Sequence, residues 1–319
     1  MEVLKILADG EYHSGEEIGR DLGVSRAAVW KQLQKLEALD LVIESVKGRG
    51  YRLSGGLDLL DAERIRALLS PEAGLALGEL ELLSQVDSTN NAAATAIKEG
   101  RDKGYSCLAE QQTAGRGRRG REWKSPFGRN IYISQVWRFQ GGASALEGLS
   151  LSVGLAVVRA LGKFGVTDLG LKWPNDVLHN NKKISGILLE MQGDPAGICQ
   201  VVVGVGVNVD MSLSDMSDVL QPWTDLVSAV GIVDRNAIVA ELMSALHVVY
   251  KEFSASGFLA HKEEWSQYDV FAGRAVRVQL GEHYIEGVMK CVDQSGGLVL
   301  VTADGEQVFN GGEVSLRSV

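Results

Sequence analysis

The chain has little that would tie it to a disulfide framework, a metal or a membrane. It carries 3 cysteines among 319 residues, Cys107, Cys199 and Cys291. Their wide separation gives neither a metal-ligand spacing nor a disulfide scaffold, so a reducing, cytoplasmic setting is expected. No apolar run approaches the roughly 18 residues a membrane span needs, so no membrane partner is expected. The opening stretch, MEVLKILADGEYHS, lacks a basic segment followed by an apolar core and a small-residue cleavage site, which argues against a secretory leader. Positive charge is scarce as well: Lys and Arg number 32 against 41 Asp and Glu, a net charge of −9. That excludes a chain that coats nucleic acid along its length and leaves room only for a local basic patch. What is present is ordinary for a soluble globular protein, 45 % apolar and 23 % charged, at a length that suits about two or three domains.

The cations are unevenly placed. Residues 1–24 carry Lys5 and Arg20 against Glu2, Asp9, Glu11, Glu16, Glu17 and Asp21. Residues 25–52 carry Arg26, Lys31, Lys35, Lys47, Arg49 and Arg52 against Glu37, Asp40 and Glu44. Leu4, Ile6 and Leu7 predict a short helix, and Ile18 and Leu22 share the face of a second. Gly23 stands where a C-cap glycine is expected. Ser25 follows as an N-cap, and Ala28, Val29, Leu33 and Leu36 recur at helical steps. Helix, glycine turn, helix is the helix-turn-helix layout. The stretch LVIESVKGRGYRL then reads as two strands around Lys47-Gly48-Arg49-Gly50, a wing. The third helix and the wing, where cations collect, are where phosphates and a major groove would meet such a module. The candidate DNA contacts are Ser25, Arg26, Ala27, Trp30, Lys31, Lys35, Lys47 and Arg49. The alternative is a small protein-interaction module whose cations are solvated. One such module is short of contacts, so a dimer on two half-sites is the usual remedy. Ser54-Gly55-Gly56 reads as a linker, and Asp61 to Arg64 opens a new helix.

The stretch AGRGRRGREW, residues 114–123, spells the letters of a dinucleotide-binding turn. Such a turn must follow a strand, open a helix and be followed by an acid about 20 residues on. A strand does precede it, in YSCLAEQQ. Pro126 and Gly128 break any helix after it, Ile131, Ile133 and Val136 favour a strand, and WRFQGGASA holds no acid. Nor is it a phosphate loop ending in Gly-Lys-Ser/Thr. The loop offers instead Arg116, Arg118, Arg119 and Arg121 on a glycine frame, able to wrap an anion, or else simply a solvated basic loop.

Other stretches also have a plain reading. VDSTNNAAATAIKEG puts Ser88, Thr89 and Asn90 at a strand-to-helix junction, where a hydroxyl would serve as an N-cap. KWPNDVL places Lys172, Trp173, Asn175 and Asp176 at a break after a strand. KKISGILLEM puts Lys183 just before a strand. QVVVGVGVNV is a buried strand whose Gly204 and Gly206 allow close approach of a ligand or another strand.

In this order and at this spacing, DSTN, GRGRRGREW, KWPND, KKISGILLE and GVGVN resemble the motifs of biotin–protein ligases. With the helix-turn-helix in front, the whole chain resembles the bifunctional form that also represses the biotin operon. The resemblance implies an α+β multidomain protein. Its parts would be a winged helix-turn-helix at 1–54, a mixed-sheet, class II synthetase-like ligase domain at 58–269 and an SH3-like barrel at 270–319. It implies biotin and ATP as substrates, with Mg2+, giving biotinyl-5′-AMP. The partners would be a biotin carboxyl carrier protein and operator DNA, with a homodimer formed on binding the adenylate. Ser88, Thr89, Asn90 and Gln112 would meet the ureido ring. Gly115, Arg116, Gly117, Arg118, Lys183, Gly186 and Gly204 would complete the biotin site. Arg118, Arg121, Trp123, Lys172, Asn175 and Asn208 would hold the adenylate or ATP. Lys183, Arg118 and Asp176 would be catalytic, with Asn175 and Asp176 near the phosphates and the magnesium or orienting the incoming lysine.

The last stretch alternates apolar and polar residues between glycine turns such as Asp304-Gly305, the pattern of a small antiparallel barrel. The resemblance implies that this cap helps with ATP and the carrier protein; it carries no catalytic cluster, and a purely stabilising cap is nearly as good a reading. Three functional alternatives stand beside the favoured one. The first is a ligase whose first domain has lost operator binding. The second is a regulator that binds a ligand without turnover, disfavoured by the intact GRGRRG, KWPND and Lys183. The third is a lipoate ligase, which shares the middle fold but not the arginine–glycine loop.

Overall fold

The computed structural model of the chain describes residues 2–193, 198–212, 214, 216–219, 221–281, 283–311 and 314–318. The first unit is α1 (Glu2–Leu7), α2 (Gly15–Asp21), α3 (Arg26–Glu37) and an antiparallel hairpin of β1 (Ile43–Val46) and β2 (Gly50–Leu53). Its local signals act as expected. Ser14 and Glu17 form a reciprocal capping box on α2. Gly23 takes a left-handed φ of 64° after that helix, and Ser25 Oγ accepts from Ala28 N at 3.2 Å to start α3. Leu4, Leu7, Ile18, Val29, Leu33, Leu36 and Leu53 close a core. Phe127, 2 % exposed and far along the chain, is part of the same cluster.

Ser54-Gly55-Gly56 is a tight turn rather than a free tether. Ser54 N donates to the Val42 carbonyl at 2.9 Å, and Leu57 N donates to the Ala8 carbonyl at 2.8 Å. Gly55 and Gly56 take φ of 76° and 58°, which only glycine adopts without strain. The chain then enters α4 (Ala62–Leu68), capped by Asp61, and α5 (Pro71–Ala76). Arg235 holds this entry: its guanidinium meets Glu110 at 2.9 Å, the Asn130 carbonyl at 2.6 Å and the Asp58 carbonyl at 2.6 Å.

The central unit contains β3 (Leu80–Leu83), α6 (Thr89–Lys98), β4 (Ser106–Ala109), β5 (Ile131–Phe139), α7 (Leu149–Lys163), β6 (Leu169–Lys172), β7 (Asp176–His179), β8 (Lys182–Gly193), β9 (Cys199–Val207), α8 (Leu226–Val230), α9 (Arg235–Ser256) and α10 (Lys262–Tyr268). Its strands form a 7-stranded sheet ordered β3-β4-β5-β9-β8-β7-β6. The β3–β4 pair is parallel and the rest are antiparallel, so the sheet is mixed. Strand alternation assigns the two faces. On β9, Val201, Val203, Val205 and Val207 join the core beneath α7 and α9, while Val202 packs with Ala93 and Ala96 of α6. Gly204 and Gly206 share Val202's side, and their missing side chains let Asn90 and Trp123 approach the sheet closely.

The apolar stretch Gly142–Lys163 is long enough and apolar enough to cross a bilayer by composition, contrary to the expectation that no run approaches that length. It is 61 % buried within the protein, because it packs between the sheet and α9. The last unit is a 5-stranded antiparallel sheet, ordered β13-β12-β11-β10-β14, made of β10 (Ala275–Leu280), β11 (His283–Val292), β12 (Leu298–Thr302), β13 (Gly305–Phe309) and β14 (Val314–Ser318). A bulge between Met289 and Cys291 bends β11. Its core residues Val276, Met289 and Leu300 are continuous with the central core, and Trp173 Nε1 donates to the Gly296 carbonyl at 3.0 Å.

Candidate active site

Three rows of side chains on the α6 face of the sheet set the site. The registers align Tyr132, Gly206 and Gly186; then Ser134, Gly204 and Leu188; then Val136, Val202 and Glu190. Glycine at 206, 204 and 186 removes side chains from the middle of this face. The result is a cavity of about 860 Å³, large enough for a cofactor-sized ligand. Its wall includes every candidate biotin, adenylate and catalytic residue except Gly115. Gly115 lies behind the wall, where a Cβ would stand 2.6 Å from both the Trp123 carbonyl and Ser125 Oγ.

One end of the cavity is a polar network. Ser88 stands at the N-cap position of α6 but makes no side-chain cap hydrogen bond, so the plain capping role does not account for it. Thr89 N donates to Gln112 Oε1 at 2.8 Å, and Ser134 Oγ donates to Asn90 Oδ1 at 2.6 Å and lies 2.8 Å from Thr89 Oγ1. Ser88, Thr89 and Asn90 are 3–4 % exposed. Backbone bonds between Val86 and the 111–113 segment hold the two stretches side by side.

The arginine–glycine loop is a closed hairpin over this end. Trp123 N donates to the Gly115 carbonyl at 2.9 Å, and Gly117 N donates to the Arg121 carbonyl at 2.7 Å. Arg119 and Gly120 turn the chain with φ of 60° and 70°. Arg118 points inward, donating to Asn175 Oδ1 at 3.3 Å and to the Gly311 carbonyl. Burial holds its pKa below the usual guanidinium range, with Arg121 and Arg119 adding to the effect against Asp176. Trp123 packs against the glycine floor: a Cβ on Gly206 would come within 2.7 Å of its ring.

The opposite end carries the charge pair. Lys183 Nζ sits 2.6 Å from Asp176 Oδ1 and 5.2 Å from the centre of the Trp123 ring. Burial resists ionisation of Asp176, but Lys183, Lys172 and Gln221 outweigh it and hold the carboxyl below the usual carboxylate range. Lys183 is the second residue of β8, not the residue before a strand. Asn180 and Asn181 take φ of 49° and 62°, a two-residue hairpin turn that starts the ladder at His179↔Lys182. Asn208 Nδ2 donates to the Thr224 carbonyl at 3.0 Å and so fixes the Lys183 neighbourhood. Among the described residues no group of three or more His, Cys, Asp or Glu gathers as a metal site. Asp176, already paired, does not by itself make one.

Several residues of the site carry no local motif. Gln221 Nε2 donates to Asp176 at 3.3 Å, and Trp223 pairs with Lys183 across an isolated bridge. Phe271 and Arg274 line the cavity from the approach to the last sheet. The DNA candidates Arg26, Ala27, Trp30, Lys31, Lys35, Lys47 and Arg49 are all exposed on α3 and the wing. Ser25's hydroxyl is already used in its cap. Tyr12, which the sequence did not single out, lies under Arg49 at 4.0 Å and Arg52 at 4.7 Å from its ring centre.

Fold and site together define a class. The biotin/lipoate A/B protein ligase family matches residues 82–208, an HTH domain matches residues 1–52, and the biotin protein ligase C terminal domain matches residues 271–317. The solved biotin protein ligase from Aquifex aeolicus in complex with biotin and ATP superposes with a TM-score of 0.66 at 30 % identity, covering 76 % of this chain and 100 % of that one. The bifunctional ligase/repressor BirA of Salmonella typhimurium is 38 % identical over 318 residues, covering 100 % of this chain and 97 % of that protein. The Escherichia coli BirA is 37 % identical over the same coverage. The chain belongs to the family of bifunctional biotin ligases and repressors.

Proposed function

We propose that the chain joins biotin to ATP, giving biotinyl-5′-AMP and pyrophosphate, and passes the biotinyl group to a lysine of a biotin carboxyl carrier protein. In the first step a biotin carboxylate oxygen bonds to the α-phosphorus and the pyrophosphate oxygen leaves. In the second, the lysine amine bonds to the acyl carbon and AMP leaves. Both steps load negative charge onto phosphoryl oxygens, and preset cations stabilise that charge in the transition state.

The observation that carries this reading is the convergence of Lys183, Asp176 and Arg118 on one cavity with a glycine floor. Lys183 exchanges Asp176 for the biotin carboxylate and neutralises it. Arg118 faces the α-phosphate, with Arg121, Lys172, Asn175 and Asn208 around the adenylate. Trp123 shields the acyl phosphate from water. Ser88, Thr89, Asn90 and Gln112 take the ureido ring, with Arg116 and Gly117 along the chain of biotin and Gly186 and Gly204 beneath it. Gly115 shapes the loop from behind. Magnesium arrives with the phosphates of ATP, the usual mode for this ion.

Residues 1–54 form the DNA-binding domain, residues 58–269 the ligase domain and residues 270–319 the last domain. The protein works in the cytoplasm. With the adenylate bound, two copies pair and set two α3 helices on operator half-sites, which raises affinity through effective concentration. The exposed cations of α3 and the wing favour this over a ligase that has lost its operator.

Release of biotinyl-5′-AMP tests the assignment. Lys183→Ala should lower biotin-dependent adenylate formation, whereas Arg118→Ala should form adenylate and leak it to solvent. Wild-type retention by the Arg118 variant would refute the role given to the loop.

A further inference from the structure

We infer that Tyr12 positions Arg49, the arginine at the tip of the wing, to take a phosphate of bound DNA. Tyr12 lies in the connection between α1 and α2, outside both the helix-turn-helix and the hairpin. That connection is fastened to the wing. His13 N donates to the Tyr51 carbonyl at 2.9 Å, and Tyr51 N donates to the His13 carbonyl at 2.8 Å, so His13 adds a further rung beside β2. The approach is close: a Cβ on Gly50 would stand 2.1 Å from the His13 carbonyl oxygen, and Gly50 takes a φ of 105°. Only glycine at this position lets the two segments meet. Arg49 precedes it, in the turn that follows the Val46↔Gly50 pair.

The two arginines beside Tyr12 differ in what they have left to offer. Arg52 is neutralised: its Nη2 lies 2.7 Å from Glu44 Oε2, an oxygen that also accepts from the Tyr12 hydroxyl at 2.9 Å. Arg49 has its guanidinium carbon 4.0 Å from the centre of the Tyr12 ring, and among the described residues no carboxylate pairs with it. Stacking occupies one face of a guanidinium and leaves the N–H groups at its edge available, whereas an ion pair would consume them. Arg49 is therefore an exposed, uncompensated cation resting on a fixed base. The bond from Tyr12 to Glu44 fixes the ring in turn. A long side chain held in place beforehand loses less freedom when it meets its target.

The inference rests on the operator-binding reading of the first domain. The probe is a duplex of about 40 base pairs, long enough for two half-sites, selected from a randomised pool by the full chain with biotin and magnesium ATP. Arg49→Ala should weaken binding and lower the slope of log affinity against log salt by about 1 for each bound copy. Tyr12→Leu should weaken binding about three- to tenfold for each bound copy, the worth of an exposed cation–π contact and one ordered side chain. Tyr12→Phe keeps the ring and should stay within about twofold of wild type. On the Arg49→Ala background, Tyr12→Leu should cost less than about twofold, whereas a domain merely unfolded by the substitution would lose affinity on either background. The packing has a separate readout without DNA. Ring current should hold the Arg49 Hδ protons upfield in the NMR spectrum, and Tyr12→Leu should release them. An undiminished loss from Tyr12→Leu on the Arg49→Ala background, or unshifted Arg49 protons in the wild-type chain, would overturn the inference. A pool that enriches no duplex would sink the operator-binding reading, and the phosphate contact with it, while the ring-current result stands.

Discussion

Gly204→Ala puts the architecture of the cavity floor to a quantitative test. The added Cβ would overlap Asn90 Oδ1 and stand 3.0 Å from Asn90 Cγ. A carbon–oxygen contact needs about 3.3 Å, so the amide oxygen must retreat by roughly 1 Å. Asn90 is 4 % exposed and its amide is bonded at both ends. Its oxygen takes Ser134 Oγ at 2.6 Å and its nitrogen gives to Glu190 at 2.7 Å, and a shift of that size stretches both beyond hydrogen-bond range. One neutral bond and one charged bond lost in a buried site amount to about 2–4 kcal/mol. Because the backbone at 204 is ordinary extended strand, alanine brings no conformational penalty of its own. Isothermal calorimetry should therefore show biotin binding weakened by about 30- to 1,000-fold. Adding Asn90→Gly in the same chain removes the overlap and should leave no further loss from Gly204→Ala. Wild-type affinity and an unchanged unfolding midpoint in the single variant would refute the reasoning.

Three further outcomes are expected. Arg235→Met leaves Glu110, 7 % exposed, as a buried charge without its partner, and should cost about 3–5 kcal/mol in urea unfolding; a change under about 1 kcal/mol would show the clamp to be dispensable. Asp269 has its carboxyl pushed by burial from 3.8 up to about 6, so the folded chain binds the extra proton and loses stability as pH rises between those values. Asp269→Asn should then stabilise the chain at pH 7 by on the order of 1–2 kcal/mol and add nothing at pH 3, and an equal gain at both would contradict the assignment. Phe127→Ala removes the ring that the central unit inserts into the first core, at about 3–5 kcal/mol, and hydrogen exchange of α1 and α3 should speed; unchanged protection there would mean that core closes without it.

The parts of the site that were legible from sequence are those whose members are chain neighbours. Ser88, Thr89 and Asn90 share one helix start, and Lys172 to Asp176 share one turn. The parts that were not legible are assembled by register. Glu190 belongs to the site because β8 pairs with β9 at Glu190↔Val202, and no local pattern marks it. Trp223 and Gln221 arrive through a loop that touches Lys183 and Asp176 only in the folded state. Lys183 lies inside β8 rather than before it because Asn180 and Asn181 act as a turn through their φ values, which apolar periodicity does not register. The glycines at 55 and 56 look like a tether in composition, yet they are a hydrogen-bonded corner between two cores. The helices and caps of the first unit were legible because capping is local chemistry.

The most direct test of the central claim is mass spectrometry of an apo biotin carboxyl carrier domain incubated with the full chain, biotin and magnesium ATP. The account predicts a gain of one biotinyl group on one lysine, dependent on ATP and lost with Lys183→Ala. A carrier domain that keeps its unmodified mass under saturating substrates, with the chain folded, would contradict it.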